Sequence, residues 1–104
     1  MSPLNKKKLN LLRIKLDKID NDLLKLIKKR SNLVNEVLKV KIYKKEIIDK
    51  KRIKFILKKI NKKSIELKVD PKITNRIWKN MIWSFIEYEK KNFKKKIILF
   101  TMWG

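Results

Sequence analysis

Cysteine and histidine are both absent from this 104-residue chain, as are alanine and glutamine, and it contains only one glycine and two prolines. Without cysteine no disulfide can form. Without cysteine and histidine the usual zinc, iron and copper sites are excluded, together with Ser-His and Cys-His nucleophilic systems. We therefore expect no metal and no cofactor, and chemistry that uses only Lys, Arg, Asp, Glu, Ser, Thr or Tyr side chains.

Long hydrophobic runs are also missing. The longest uninterrupted apolar run is Ile97 to Phe100, far short of the roughly 20 apolar residues that cross a bilayer. The N-terminal sequence MSPLNKKKLNLL contains neither an apolar signal-peptide core nor a small-residue cleavage site. These features favour a cytoplasmic protein with one domain over residues 1–104, and they predict no membrane partner.

Basic residues dominate the charge, with 31 lysines and arginines against 10 acids and a formal net charge of +21. Such a charge usually indicates nucleic acid or an anionic surface. Here the lysines are spread from Lys6 to Lys96, with no helix-turn-helix spacing, no RNP-like strand motif and no interleaving of aromatics with arginines. A basic helical nucleic-acid-binding protein is therefore the more distant alternative, and a plain dimerisation module is the third.

Helix periodicity covers nearly the whole length and predicts an all-α protein with three helices. The first helix should begin near Leu4 or Asn5 and continue to about Ile42. Its apolar positions recur at three- and four-residue spacing: Leu9, Leu12, Leu16, Ile19, Leu23, Leu26, Leu33, Val37 and Val40. A helix of that length is far longer than a compact domain of this size, so its apolar stripe must be covered from outside the chain. We therefore expect an intertwined homodimer.

Two shorter helices are expected after a loop at residues 42–47. The second should begin near Asp49 and fade between Lys62 and Val69, with Ile53, Ile56, Leu57 and Ile60 on its inner face. Asp70-Pro71, an N-cap acid followed by proline, predicts the start of the third. Its inward positions should be Ile73, Ile77, Trp78, Met81, Ile82, Phe85 and Ile86, and residues 94–104 form a helix extension or a tail.

Only four of the basic residues are arginine: Arg13, Arg30, Arg52 and Arg76. A guanidinium supplies a permanent charge and a planar fork of donors for a carboxylate, which lysine does not. Arg13 and Arg30 are about 25 Å apart along a helix and cannot hold one small molecule from the same chain. Arg30 and Lys41 lie three turns apart on one face, about 16 Å from each other. An antiparallel second chain would bring its Arg13 to that face, which predicts a shared site.

The segment LLRIKLDKIDNDLLKLIKKRSNLVNEVLKVK, from Leu11 to Lys41, resembles the first helix of the all-helical chorismate mutases. The shared pattern is an early arginine, Ile-Asp with a further acid, a Leu-Leu pair, a second arginine and then a lysine. IIDKKRIKFIL and ITNRIWKNMIWSFIEYE extend the resemblance through the second and third helices, over about residues 9–93. It implies conversion of chorismate to prephenate in aromatic amino-acid biosynthesis.

The resemblance also implies roles for individual residues. Arg30 and Arg52 would bind substrate carboxylates, with Arg13 reaching in from the other chain of the dimer. Lys41 would donate to the ether oxygen of the breaking bond, and Glu89 stands where the family has Gln or Glu as a second donor. Asp49 matches an acid near the ring hydroxyl, and Phe85 would line the pocket. Arg76 matches no functional position.

Two positions depart from the mutase pattern. Ile53 stands where many mutases have a glutamate that contacts the ring hydroxyl, and Phe85 stands where several have a small serine. Both changes resemble isochorismate-pyruvate lyase, which shares this fold and gives salicylate and pyruvate. That lyase is the alternative function.

Glu89 raises a question of charge. A carboxylate facing the ether oxygen would repel the negative charge that develops there. We therefore expect either that Glu89 works as a neutral acid or that activity rises as the pH falls.

Overall fold

The computed structural model describes the backbone of residues 1–103 and the side chains of residues 1–93. It contains helices α1 (Pro3–Val40), α2 (Lys50–Glu66) and α3 (Pro71–Trp103), with a 3-10 turn at Lys44–Glu46 between the first two. No strand occurs in this part of the chain, so the predicted all-α fold with a very long first helix is confirmed. Residues 94–103 continue α3, which is the helix extension given as one of the two alternatives for this segment, and residue 104 lies outside the described residues.

Side-chain caps explain where α2 and α3 begin. The Asp49 carboxylate accepts the backbone N–H of Arg52 at 3.0 Å, as an N-cap acid does. At the start of α3, Oδ1 of Asp70 accepts the N–H of Lys72, also at 3.0 Å, and Pro71 takes the first helical position. Both predicted starts are therefore confirmed.

Two hydroxyl groups, those of Ser64 and Thr74, stabilise the turn between α2 and α3. Ser64 is buried, and its hydroxyl lies 2.6 Å from the carbonyl oxygen of Ile60 and 2.7 Å from Oγ1 of Thr74. The backbone then reverses through Lys68, which has a positive φ of 57°. These contacts fix the end of one helix against the start of the next.

Helix α2 continues to Glu66, within the range from Lys62 to Val69 in which the sequence predicted its end. Ser64 lies four residues after Ile60, and that step places both residues on the same face of the helix. The inner face therefore extends one turn beyond the last apolar position of the pattern. Periodicity gave no sign of this turn because the side chain that continues the face is polar.

The chain divides into two compact units, Met1–Leu33 and Val34–Gly104. In the second unit the core consists of Leu38, Ile47, Ile82, Ile86 and Phe93, with Ile48, Ile53, Ile56 and Leu57 packed against it. Ile47 is only 3% exposed, although the sequence placed it at the end of a loop. Burial of such a side chain stabilises by roughly 1.5–3 kcal/mol, so this connection is fixed by the core.

Two of the inward positions predicted for α3 were wrong for a single chain. Ile73 is 56% exposed and Ile77 is 51% exposed, whereas Ile82 and Ile86 are buried. The periodicity marks an apolar face along the whole helix, but only its later turns lie over the core.

Apolar side chains of the Met1–Leu33 unit remain largely exposed. Those with large exposed fractions are Leu4, Leu11, Leu12, Ile14, Leu16, Ile19, Leu23, Leu24, Leu26, Ile27 and Leu33. Within the described residues, no helix combines the length and the apolar character needed to cross a membrane.

Candidate active site

An ion pair joins the end of α1 to α3. Nζ of Lys41 lies 3.4 Å from both Oε1 and Oε2 of Glu89, although the two residues are 48 positions apart. Glu89 is 6% exposed, and the Lys41 side chain is 17% exposed. The structure thus brings together the two residues that the resemblance placed at the ether oxygen.

The geometry of this pair is loose and symmetric. A charge-assisted N–H···O hydrogen bond normally measures about 2.7–2.9 Å, whereas both separations here are 3.4 Å. A lysine ammonium carries three donors, so Lys41 can keep contact with Glu89 while directing a proton elsewhere. The arrangement can present a positive charge and a proton donor to an oxygen placed beside the pair.

Asp49 and Arg52 lie together at the start of α2. The Asp49 carboxylate is engaged by the backbone N–H of Arg52, and both residues are exposed. The guanidinium carbon of Arg52 lies 5.4 Å from the centre of the Phe55 ring, within the range of a cation–π contact. Sequence reasoning missed Phe55. The three-residue spacing from an arginine on a helix is the signal that could have indicated it.

The remaining candidates occupy three different settings. Arg13 and Arg30 belong to the Met1–Leu33 unit, where Arg13 is exposed and Arg30 is half-buried. Phe85 is half-buried on α3, one turn before Glu89. Ile53, which replaces a glutamate of the mutase pattern, packs against the core. An apolar side chain at position 53 therefore contributes to packing in this chain.

An open pocket of about 520 Å³ lies where the 3-10 turn meets the start of α2. Its charged lining consists of Lys41, Lys45, Lys50, Lys51, Glu46 and Asp49, and Ile48 supplies the apolar part. Lys41 and Asp49 were predicted site residues. The others were not, because isolated lysines in so basic a sequence give no signal by spacing alone.

Comparison with known families gives one result for this chain. A family model described as chorismate mutase type II matches residues 12–90, well over half of the sequence. No match was found among curated proteins or among solved structures. The matched range includes every candidate residue named above, from Arg13 to Glu89.

Proposed function

The chain belongs to the chorismate mutase type II family, and from this premise we propose that it converts chorismate to prephenate in aromatic amino-acid biosynthesis. The observation that carries the proposal is the Lys41–Glu89 pair, which joins two chain segments at the end of α1 and on α3. Neither the charge of the whole chain nor its helical content would require those two residues to meet.

The reaction makes limited demands on a protein. It is an intramolecular rearrangement of one substrate, and it requires no nucleophile, metal or proton transfer. The protein has to hold the reactive conformer and to stabilise the negative charge that develops on the ether oxygen. Lys41 supplies a fixed positive charge for that oxygen, and its partial burial strengthens the interaction by excluding water.

Glu89 supports this role in two ways. Its carboxylate holds the Lys41 ammonium in position. When protonated, it becomes a second hydrogen-bond donor to the same oxygen. A charged Glu89 would instead oppose the developing negative charge, so the two roles belong to different protonation states of the same residue.

Guanidinium groups hold the two carboxylates of the substrate in this proposal. Arg52 and Arg30 act from one chain and Arg13 from its partner, so the working unit is a homodimer with shared sites. The exposed apolar side chains of the first 33 residues support the dimer, because apolar surface of that extent is normally covered in a soluble assembly. Sedimentation equilibrium tests it, and a monomer at micromolar concentration would contradict it.

A second candidate function is isochorismate-pyruvate lyase. One observation favours it: Ile53 packs against the core, so the position that carries a glutamate in many mutases contributes no hydrogen-bonding group to the substrate. The same arginines and lysine would serve this reaction.

The two functions are separated by offering purified protein chorismate and isochorismate in separate assays. Prephenate from chorismate supports the mutase, whereas pyruvate and salicylate from isochorismate support the lyase. No turnover of either substrate at several pH values would refute both.

Mixed dimers test whether the site is shared. The Arg13→Ala and Arg30→Ala proteins should each be inactive, because each removes one contribution from every site. Unfolding and refolding them together should restore one working site in the heterodimer. A mixture with no recovered activity would contradict a site built from two chains.

A further inference from the structure

A second polar contact joins α1 to α3 close to the Lys41–Glu89 pair. The hydroxyl of Tyr88 donates to Oδ1 of Asn35 at 2.7 Å, although the two residues are 53 positions apart. That separation is the usual length of an O–H···O hydrogen bond, whereas Nζ of Lys41 lies 3.4 Å from the Glu89 carboxylate. All four residues belong to the Val34–Gly104 unit. The Tyr88–Asn35 contact is therefore the better defined of the two.

Packing alone does not fix the rotation of α1 at its end. The helix ends at Val40, and the backbone N–H of Lys41 reaches the carbonyl oxygen of Leu38 at a long 3.3 Å. The Lys41 ammonium then stands at the end of a long, flexible stem. Leu38 is buried in the core, but an apolar contact has no direction and lets a helix turn or slide. A directional contact near the end of α1 is needed to place that ammonium.

Tyr88 and Asn35 lie where such a contact would act. Asn35, Leu38 and Lys41 follow one another at three-residue steps along one face of α1 and its end. Tyr88 directly precedes Glu89 on α3, and a tyrosine side chain has few rotatable bonds. We propose that Tyr88 and Asn35 are positioning residues, which hold α1 against α3 so that the Lys41 ammonium meets Glu89. The inference rests on the proposed function only for its effect on turnover.

The first test measures the coupling between Lys41 and Glu89 and needs no substrate. Urea unfolding of Lys41→Met, Glu89→Leu and the double variant, at one protein concentration, gives the factor by which their effects on the unfolding equilibrium constant fail to multiply. The cycle is then repeated in the Tyr88→Phe background, which lacks one hydroxyl and keeps the ring. We expect the coupling factor to fall about three- to tenfold. Tyr43→Phe removes the only other tyrosine hydroxyl of the chain and is the matched control, in which the factor should not change.

The second test measures turnover. Because Lys41 acts on charge that develops during the reaction, a misplaced ammonium should lower kcat and leave KM unchanged. We expect Tyr88→Phe to lower kcat about three- to tenfold, with KM within about twofold of the parent value. Asn35→Leu should have the same effect. Asn35→Asp keeps an acceptor oxygen for the tyrosine hydroxyl and should retain most of kcat.

An unchanged coupling factor in Tyr88→Phe would overturn the inference. An equal fall in Tyr43→Phe would overturn it as well, because loss of any tyrosine hydroxyl would then have the same effect. If circular dichroism shows that Lys41→Met is unfolded, Lys41→Gln and Glu89→Gln complete the cycle with the same expected fall.

The two tests separate this inference from the proposed function. A coupling factor that depends on the Tyr88 hydroxyl, in a protein that turns over neither chorismate nor isochorismate, supports the positioning role and refutes the activity. Turnover by the parent, with kcat unchanged in Tyr88→Phe, supports the activity and overturns the positioning role.

Discussion

Removing either Lys41 or Glu89 alone should lower the free energy of unfolding by more than the net stabilisation that the intact ion pair provides. The unlike charges are 3.4 Å apart, and at an effective dielectric constant of about 20 their gross attraction is about 5 kcal/mol. Withdrawing the nearly buried carboxylate from water opposes most of this gain. The net contribution of the pair is therefore small, whereas either group left alone in place keeps its desolvation cost.

The two single substitutions should differ in cost, because the Glu89 side chain is more deeply buried than the Lys41 side chain. Lys41→Met leaves the Glu89 carboxylate, in a residue only 6% exposed, without its cation, and breaking a buried pair in this way costs about 3 kcal/mol. Glu89→Leu leaves a lysine whose side chain is 17% exposed and can turn toward water, so we expect a loss of about 1–2 kcal/mol. The double variant should lose at least about 2 kcal/mol less than the sum of the two single losses.

Urea unfolding followed by circular dichroism measures these differences, with the protein concentration fixed because dimerisation would shift the midpoint. Glu36→Gln is the matched control. It weakens a shorter pair with Lys39, at 3.1 Å, whose side chains are 66% and 69% exposed, and it should cost less than about 0.5 kcal/mol. Losses that simply add in the double variant, or a control loss as large as that of Lys41→Met, would refute the reasoning.

Three further predictions follow from other contacts. Asp70→Ala removes the carboxylate that caps α3 and should lower the free energy of unfolding by about 1 kcal/mol; an equal loss in Asp70→Asn, measured by urea unfolding, would contradict capping. Phe55→Leu removes the ring 5.4 Å from the Arg52 guanidinium and should raise KM about two- to fivefold with kcat unchanged. Tyr43→Leu, which removes a ring beside a lysine at the same distance, should leave KM unchanged, and an equal rise there would count against Phe55. Glu89→Gln keeps a hydrogen-bond donor beside Lys41 and removes the negative charge, so it should hold kcat at or above the parent value; a large loss of kcat in this variant would argue against a neutral-acid role.

The starts of α2 and α3 were predictable because the interactions that cap these helices are local. Asp49 and Asp70-Pro71 act on backbone groups two or three residues away, so the sequence contains the whole interaction. Helix periodicity wrongly predicted that Ile73 is buried, because burial also depends on what lies opposite the helix face. The burial of Ile47 was not predicted, because a single buried side chain in an aperiodic segment forms no pattern.

In the candidate site, too, the residues that could not be predicted from local patterns are those whose contacts depend on the folded chain. No spacing rule connects positions 41 and 89, and only the resemblance to a family placed Lys41 and Glu89 at one atom of the substrate. The pocket lysines were not predictable at all, because each is one basic residue among 31. What distinguishes Lys45 from its neighbours is the turn that sets it beside Lys41, and that turn is a property of the folded chain.

The cap at Asp49 restricts how this position can change during evolution. Helix α2 begins there, and the same residue lines the pocket. Only Asp, Asn, Ser, Thr and, less well, Gly serve at a helix N-cap, so substitutions that retune the pocket must come from that short set. A change to any other residue would first fray the helix and move Arg52 and the pocket lysines with it. Diversification toward new ligands should therefore pass through Asn, Ser or Thr at position 49, with the fold kept and the local charge altered by one.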